Sequence, residues 1–358
     1  MIYIVYLFII LILGFLLQLS ANRNEERRVN ATIYIGIVYF IGWLIMGFRG
    51  EHVGKDTINY LEIYNQIKTL DFKSLIYDAG IEPGWGILAW INHLIGGNFL
   101  TFQLILSGIL CVLARNFTIK VSFIQPGYHI LTITIITFFY LYLISLNISR
   151  QIIAVLFLAN GLFYYNDKKY LKTLLYILCG VSFHYSSLLG LSLFILWKFK
   201  NWRYIYITCL IGLGVIFFGI KLLMNFFYSA GLYVNYLNSD ASTFQEAGMA
   251  RIIWFIIALF SMLIIINPNS FNNCIRITAL YAIIYVFFNV ISSDVSYIDR
   301  VGLYFLPFVC IPFIAIGNYI KCQYLRIGYF SGLLGLYSVW FLLSARSEQY
   351  VYQISSLL

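Results

Sequence analysis

Residues 30–67, "NATIYIGIVYFIGWLIMGFRGEHVGKDTINYLEIYNQI", decide the class of fold. Residues 30–48 form an apolar run long enough to cross the ~30 Å hydrocarbon core of a bilayer. Charge then gathers at the exit: Arg49, Glu51, His52, Lys55 and Asp56. The segment that follows has one apolar face, Tyr60, Leu61, Tyr64 and Ile67, with Asn59, Glu62, Gln66 and Lys68 opposite. A span, a charged exit and a short amphipathic helix describe a chain that leaves a membrane and turns along its surface.

The rest of the chain repeats the first of these features. It has 358 residues, of which 61% are hydrophobic and 10% charged, whereas a soluble domain carries about 25% charged residues. Apolar runs fall at about 2–20, 30–48, 99–115, 128–147, 149–165, 171–184, 186–197, 204–220, 251–267, 275–292, 300–318 and 327–344. The pattern predicts an all-α polytopic membrane protein of ten to twelve transmembrane helices, twelve on the full count. Short alternating segments of the kind a barrel needs are absent. The run Ile2 to Leu19 has no basic region before it and no cleavage site after it, and reads as a retained helix. The stretch 171–197 is long for one span, and dividing it at "SFHYSS" keeps Lys198, Lys200 and Arg203 on the basic side. No internal repeat appears, so residues 1–358 read as a single transmembrane domain.

The formal net charge of +9 is unevenly placed. Lys and Arg cluster in short segments such as "ANRNEERRVN", "ARNFTIK", "YYNDKKYLK" and "WKFKNWR", which the positive-inside rule puts in the cytoplasm. Most acids fall in the remaining, longer segments, which face outward with both termini. The two largest are residues 49–98 and 221–250. The first carries two juxtamembrane helices: the one at Asp56, and "EPGWGILAWINHL", where Glu82-Pro83 starts a helix and Trp85, Leu88, Trp90 and Ile91 supply bulk suited to the interface. The second is rich in Tyr and Asn, which suits sugars as well as headgroups. No basic soluble module exists, so no nucleic-acid partner is expected. The six cysteines lie in apolar runs or at cytoplasmic ends without CxxC spacing, and neither disulfides nor a metal cluster is expected.

Topology alone does not account for the ionisable residues at the outer helix ends: Arg49, Arg150, His184, Arg251, Asp299 and Arg300. A charge at a helix centre is unfavourable by about 2.5–3.5 kcal/mol, less near the interface. A single arginine there reads as an interfacial anchor, the preferred reading for Arg251 and Arg346. The set reads as the lining of an outward cavity, where guanidinium forks match phosphate oxygens. A carboxylate among them could take a proton from a sugar hydroxyl. Asp56, Glu82 and Asp299 are the candidates, with helix N-capping the competing role for Asp56 and the preferred one for Glu82. His184, between two half-length runs, is a further catalytic candidate. His52, His93 and His129 read as structural. The pair Asp294 and Asp299 is too sparse for a metal site.

In chain order, Arg49 with "GKDTINY" (Asp56, Tyr60), "EPGW" (Glu82), "SRQIIAV" (Arg150, Gln151), "SFHYSSLL" (His184) and "DRVGLYF" (Arg300, Tyr304) resemble the EpsG family of Wzy-type O-antigen and exopolysaccharide polymerases. The resemblance implies a GT-C-like glycosyltransferase of the bacterial inner (cytoplasmic) membrane with its active site facing the periplasm or exterior. Such enzymes move a growing glycan from undecaprenyl diphosphate to the non-reducing end of another undecaprenyl-diphosphate-linked repeat unit. On this reading Arg49, Arg150, Arg251 and Arg300 meet the diphosphate. Asp56, Glu82, His184 and Asp299 are the catalytic candidates, and Tyr60, Gln151 and Tyr304 position the glycan. No DxD motif stands in the first loop, so no metal and no cofactor is expected. The implied partners are the lipid-linked oligosaccharide and membrane lipids, and whether a chain-length regulator protein binds is left open. A lipid-linked oligosaccharide transporter or flippase would need buried midplane charge and repeated halves. An O-antigen ligase shares the chemistry and differs in acceptor. An acyltransferase would need a histidine base near the cytoplasmic face.

Overall fold

A computed structural model describes residues 2–20, 24–70, 81–124, 130–201, 204–216, 247–292, 298–346 and 350–355. His129, Asp294 and nearly all of the second large loop lie outside them. The helices in chain order are α1 (Ile2–Ser20), α2 (Asn24–Gly47), α3 (Thr57–Ile67), α4 (Pro83–Leu94), α5 (Phe99–Ile124), α6 (Ile130–Asn147), α7 (Ser149–Asn166) and α8 (Tyr170–Phe183). A 3-10 turn (Tyr185–Leu191) leads into α9 (Ser192–Lys198) and α10 (Ile205–Ile216). Then come α11 (Ala247–Ile266), α12 (Asn273–Ile291), the short α13 (Asp299–Gly302), α14 (Cys310–Tyr319) and α15 (Gln323–Ser344). Among the described residues the only extended pairing is a single antiparallel bridge between Arg49 and Ile354.

Four described helical stretches are long and apolar enough to cross a membrane: Val29–Gly47, Phe99–Ser122, Asn273–Ile291 and Gln323–Ser344. Shorter apolar helices, such as Ile2–Leu16, Tyr170–Phe183 and Ala250–Ile266, accompany them. The chain is therefore an all-helical, multi-pass membrane protein.

It divides into two compact units. The first holds Met1–Leu188 and Ile320–Leu358. Its centre is α7, in which Ile152 through Leu156 and Leu158 through Gly161 are all buried. A helix buried all round belongs in the middle of a bundle. Helix α7 packs against α8 and α5, α2 against α5, and α15 against α6. The second unit, Leu189–Tyr319, is built around α12, which packs on α11, α13 and α14. The Asn272 side chain caps α12 by accepting from the Ile275 amide at 2.9 Å.

One helix differs from its sequence reading and one break agrees with it. Helix α5 does not stop near residue 115; it runs to Ile124 through "ARNFTIK". Lys120 stays within it because its ammonium lies 3.9 Å from the Tyr164 ring centre and 5.3 Å from that of Phe163. A flexible four-carbon stem lets the charge find aromatic faces without ending the helix. The stretch 171–197 does break where its charge pattern predicts. Helix α8 stops at Phe183, and His184 is extended (φ −161, ψ 116).

In the first unit, α3 and α4 lie beside the spans. Buried Thr57, Tyr60, Tyr64 and Ile67 give α3 its inner face, and Trp85, Gly86, Ala89 and Asn92 give α4 its own. The two are pinned to α5 by aromatic rings: Tyr64 stacks on Phe102 at 5.0 Å, and Trp85 meets Phe102 edge-on at 4.9 Å. A polar knot completes the join. Asn92 donates to Thr101 at 3.0 Å, and the His93 ring lies 4.0 Å from that of Tyr64 while its Nε2 meets the Tyr64 carbonyl at 2.9 Å. His93 thus ties α4 to α3. Trp85 does not take the interfacial role that its place in "EPGW" suggests: it is fully buried, and the exposed bulk of α4 is Ile91 and Leu94.

Candidate active site

One end of the first unit gathers ionisable side chains from three elements. Glu82 sits at the N-cap position of α4, Arg150 in the first turn of α7, and His184 at the C-cap of α8. Glu82 does not cap its helix; its side chain makes no capping hydrogen bond. Instead its Oε2 accepts from Arg150 Nη1 at 2.6 Å and its Oε1 meets His184 Nδ1 at 2.6 Å. The reason is competition. The guanidinium and the imidazole compete with the helix amides for the carboxylate, and the guanidinium adds an ion pair that an amide cannot offer.

This geometry sets protonation states. Burial alone would raise the Glu82 carboxyl, but the His184 hydrogen bond and the Arg150 charge outweigh it and hold it below the ordinary carboxylate value. An ionised carboxylate only accepts, so the proton of a neutral His184 belongs on Nδ1. Its Nε2 is then left with a free lone pair. Arg150 has further N–H donors beyond the one given to Glu82. Its guanidinium carbon also lies 5.1 Å from the Tyr60 ring centre and 5.8 Å from that of Trp85. The two rings form an aromatic seat that limits the side chain's freedom.

Tyr60 links this triad to Arg49. Tyr60, Ser149 and Arg49 line one small cavity of about 10 Å³ with Gln103, Ser107 and Ser145. Arg49 is only 5% exposed. It donates from Nη1 to the Met46 carbonyl at 2.8 Å, and its buried Nε has no hydrogen-bond partner. Among the described residues no carboxylate pairs with it. Burial lowers its pKa, and neighbouring tyrosine hydroxyls partly oppose the shift. A buried, uncompensated cation is unfavourable unless an anion is supplied.

The other sequence candidates fall as follows. Asp56 occupies the N-cap position of α3 without making the capping bond. Its charge adds to burial in raising the Tyr60 hydroxyl pKa, while Arg150 opposes both. Gln151 is buried in α7. Asp299, Arg300, Arg251 and Tyr304 belong to the second unit. Burial raises the Asp299 carboxyl, with the Arg300 charge opposing it. Arg251 is exposed in the first turns of α11, as an interfacial anchor would be, and Tyr304 is buried. Among the described residues no cluster of three or more His, Cys, Asp or Glu could hold a metal.

Sequence reading missed Trp85 and Ser149 as parts of the site. For Trp85 a signal existed, because a helix starting at Pro83 turns residues 82 and 85 to the same side. For Ser149 there was none beyond its neighbour Arg150.

No curated protein and no solved structure matches the chain significantly. The sequence profile described as the EpsG family does match, over residues 32–355, and that span contains every ionisable residue of the triad and Arg49. The chain thus belongs to the EpsG family, a family of Wzy-like polysaccharide polymerases.

Proposed function

We propose that the protein is an inner-membrane, GT-C-like glycosyltransferase of about twelve spans, metal-independent and open to the exterior. It moves a growing glycan from undecaprenyl diphosphate to the non-reducing end of a second lipid-linked repeat unit. The observation that carries this reading is Glu82 bridging Arg150 and His184 at 2.6 Å each, with a buried Arg49 that has no carboxylate partner among the described residues.

The acceptor sugar hydroxyl attacks the anomeric carbon of the donor glycan. The bond from that carbon to the diphosphate oxygen breaks, and the hydroxyl proton passes to Nε2 of His184. Glu82 steadies the imidazolium that forms, as an orienting carboxylate does for a histidine base. The lipid diphosphate leaves as an anion, so cations suffice to stabilise its departure. Arg49 supplies an uncompensated positive charge for it. Arg150 supplies its remaining donors, and the uncapped N-terminus of α7 adds its dipole. Tyr60 and Gln151 position the glycan. Asp56 is the alternative base. Arg251, Arg300, Asp299 and Tyr304 keep the roles the family resemblance implies as proposals of their own.

The test is polymerisation of a synthetic undecaprenyl-diphosphate-linked repeat unit by purified protein, read as a ladder on a gel. His184→Ala is expected to slow ladder growth about 10²–10⁴-fold. Arg49→Ala and Arg150→Ala should abolish long products, chelator should leave the ladder unchanged, and Asp56→Asn and Arg300→Ala assign those residues. Normal ladders from His184→Ala and Arg150→Ala would sink the proposal. A single addition to a different lipid acceptor would make the protein a ligase.

A further inference from the structure

Arg49 stands at a place where an arginine is ordinarily free. It lies two residues past the end of α2, and a long side chain there snorkels toward water. Here it is turned inward and buried. Its own helix does not do this. The backbone of residues 47–50 is held from two directions. On one side Gln103 Nε2 donates to the carbonyls of Gly47 at 2.9 Å and Arg49 at 2.8 Å. On the other side lies the C-terminal segment, far away in sequence. Arg49 pairs antiparallel with Ile354, the Gly50 amide donates to the Gln353 carbonyl at 2.7 Å, and the Ser355 amide donates to the Phe48 carbonyl at 3.0 Å.

The same segment is tied to the wall of the site. The Tyr350 hydroxyl accepts from Asn147 Nδ2 at 2.9 Å. Oδ1 of that asparagine accepts from the Lys55 amide at 2.7 Å. Asn147 ends α6, two residues before Ser149, which lines the Arg49 cavity. The Tyr352 ring meets the Tyr3 ring edge-on at 6.0 Å. One short segment thus fixes both the backbone that carries Arg49 and the loop that follows it.

We propose that Tyr350–Ser355 is a positioning segment for Arg49: it aims the guanidinium into the site for the diphosphate of the lipid-linked substrate. The inference rests on the reading of Arg49 as a diphosphate ligand. The pairing consists of two backbone hydrogen bonds, and so short a pairing is weak by itself. A single lesion in it loosens Arg49 without touching the bundle. The lesion acts on substrate binding and leaves Glu82 and His184 in place.

Binding of inorganic pyrophosphate to the full-length chain in detergent, measured by isothermal titration calorimetry, tests this. Ser355→Pro removes the amide that donates to Phe48, whereas Ser355→Ala keeps it. Tyr350→Phe removes the hydroxyl that meets Asn147. Ser355→Pro and Tyr350→Phe are each expected to weaken pyrophosphate binding about tenfold, the loss of one good charge-assisted contact. Ser355→Ala, which keeps the amide, is expected to bind more tightly than Ser355→Pro. In the polymerisation assay, Ser355→Pro should lower kcat/KM for the lipid-linked unit, because Arg49 serves both the binding and the departure of the diphosphate. If Arg49→Ala abolishes binding while Ser355→Pro and Tyr350→Phe bind as the parent does, the positioning role is overturned and the diphosphate reading stands. If the parent does not bind pyrophosphate, or Arg49→Ala binds equally well, the diphosphate reading falls and the positioning role with it.

Discussion

Both oxygens of Glu82 are engaged, each by a different side chain, so an isosteric change separates charge from shape. Glu82→Gln keeps the volume, but its one amide oxygen cannot serve Arg150 and His184 together. The imidazole is then no longer held with Nδ1 as donor, and ladder growth should fall about 10²-fold, the lower range for loss of general base catalysis. The same change should lower stability by about 1.5–3 kcal/mol, the worth of a hydrogen bond to a charged group. The sign of the pH dependence follows from the direction of the Glu82 shift. Its pKa in the folded protein lies below the ordinary 4.5, so the folded state holds the ionised form more tightly than the unfolded chain does. The contribution is complete above 4.5 and is lost as the pH falls through the lower folded value. Thermal unfolding in detergent should therefore show the gap between parent and Glu82→Gln constant near neutrality and closing in acid. A gap that persists unchanged well below 4.5 would contradict the assignment.

At the scale of elements, the triad depends on how closely α4 approaches the end of α8. Gly84 permits it: a Cβ there would come within 2.5 Å of the Ser182 hydroxyl oxygen and 2.8 Å of the Ser182 backbone carbonyl oxygen. The hydroxyl could rotate away; the carbonyl could not. Gly84→Ala should push the start of α4 outward and separate Glu82 from His184. Overpacking of this kind is unfavourable by about 1–3 kcal/mol, and activity should fall further than stability alone explains. Ser182→Ala, which removes only the hydroxyl, should not restore it; full activity in Gly84→Ala would show that the approach is not needed. Gly54 plays the matching part for the loop after α2. It has φ +91, and a Cβ on it would collide with the Leu146 carbonyl oxygen. The helices α3 and α4 themselves were legible in the sequence, because a 3.6-residue apolar period is a local property. The partner of Glu82 was not. N-capping is also a local rule, and it assigned Glu82 to its own helix, whereas its partners lie 68 and 102 residues away. The burial of Trp85 was hidden for the same reason: hydropathy cannot tell an aromatic ring at a membrane surface from one under a cation.

For the whole molecule, composition settled the class, and charge asymmetry yielded a sidedness that distances within the chain do not contain. The site and the basic clusters bear opposite expectations, and two exposed residues report them. The His52 side chain is 64% exposed in the loop after α2, and the Lys169 side chain is 57% exposed at the turn between α7 and α8. If Lys168, Lys169 and Lys172 face the cytoplasm, α7 carries Arg150 to the outer face. Its 18 residues rise about 27 Å, close to the hydrocarbon thickness. A cysteine placed at 52 in intact cells should then react with a membrane-impermeant maleimide, and one at 169 only after permeabilisation. Among the native cysteines, Cys179 and Cys322 are exposed and would be replaced first. The reverse labelling would put Glu82, Arg150 and His184 on the cytoplasmic side. Nucleotide-activated sugars would then be the more natural donor, and the lipid-diphosphate mechanism would have to be abandoned even if every site variant lost activity.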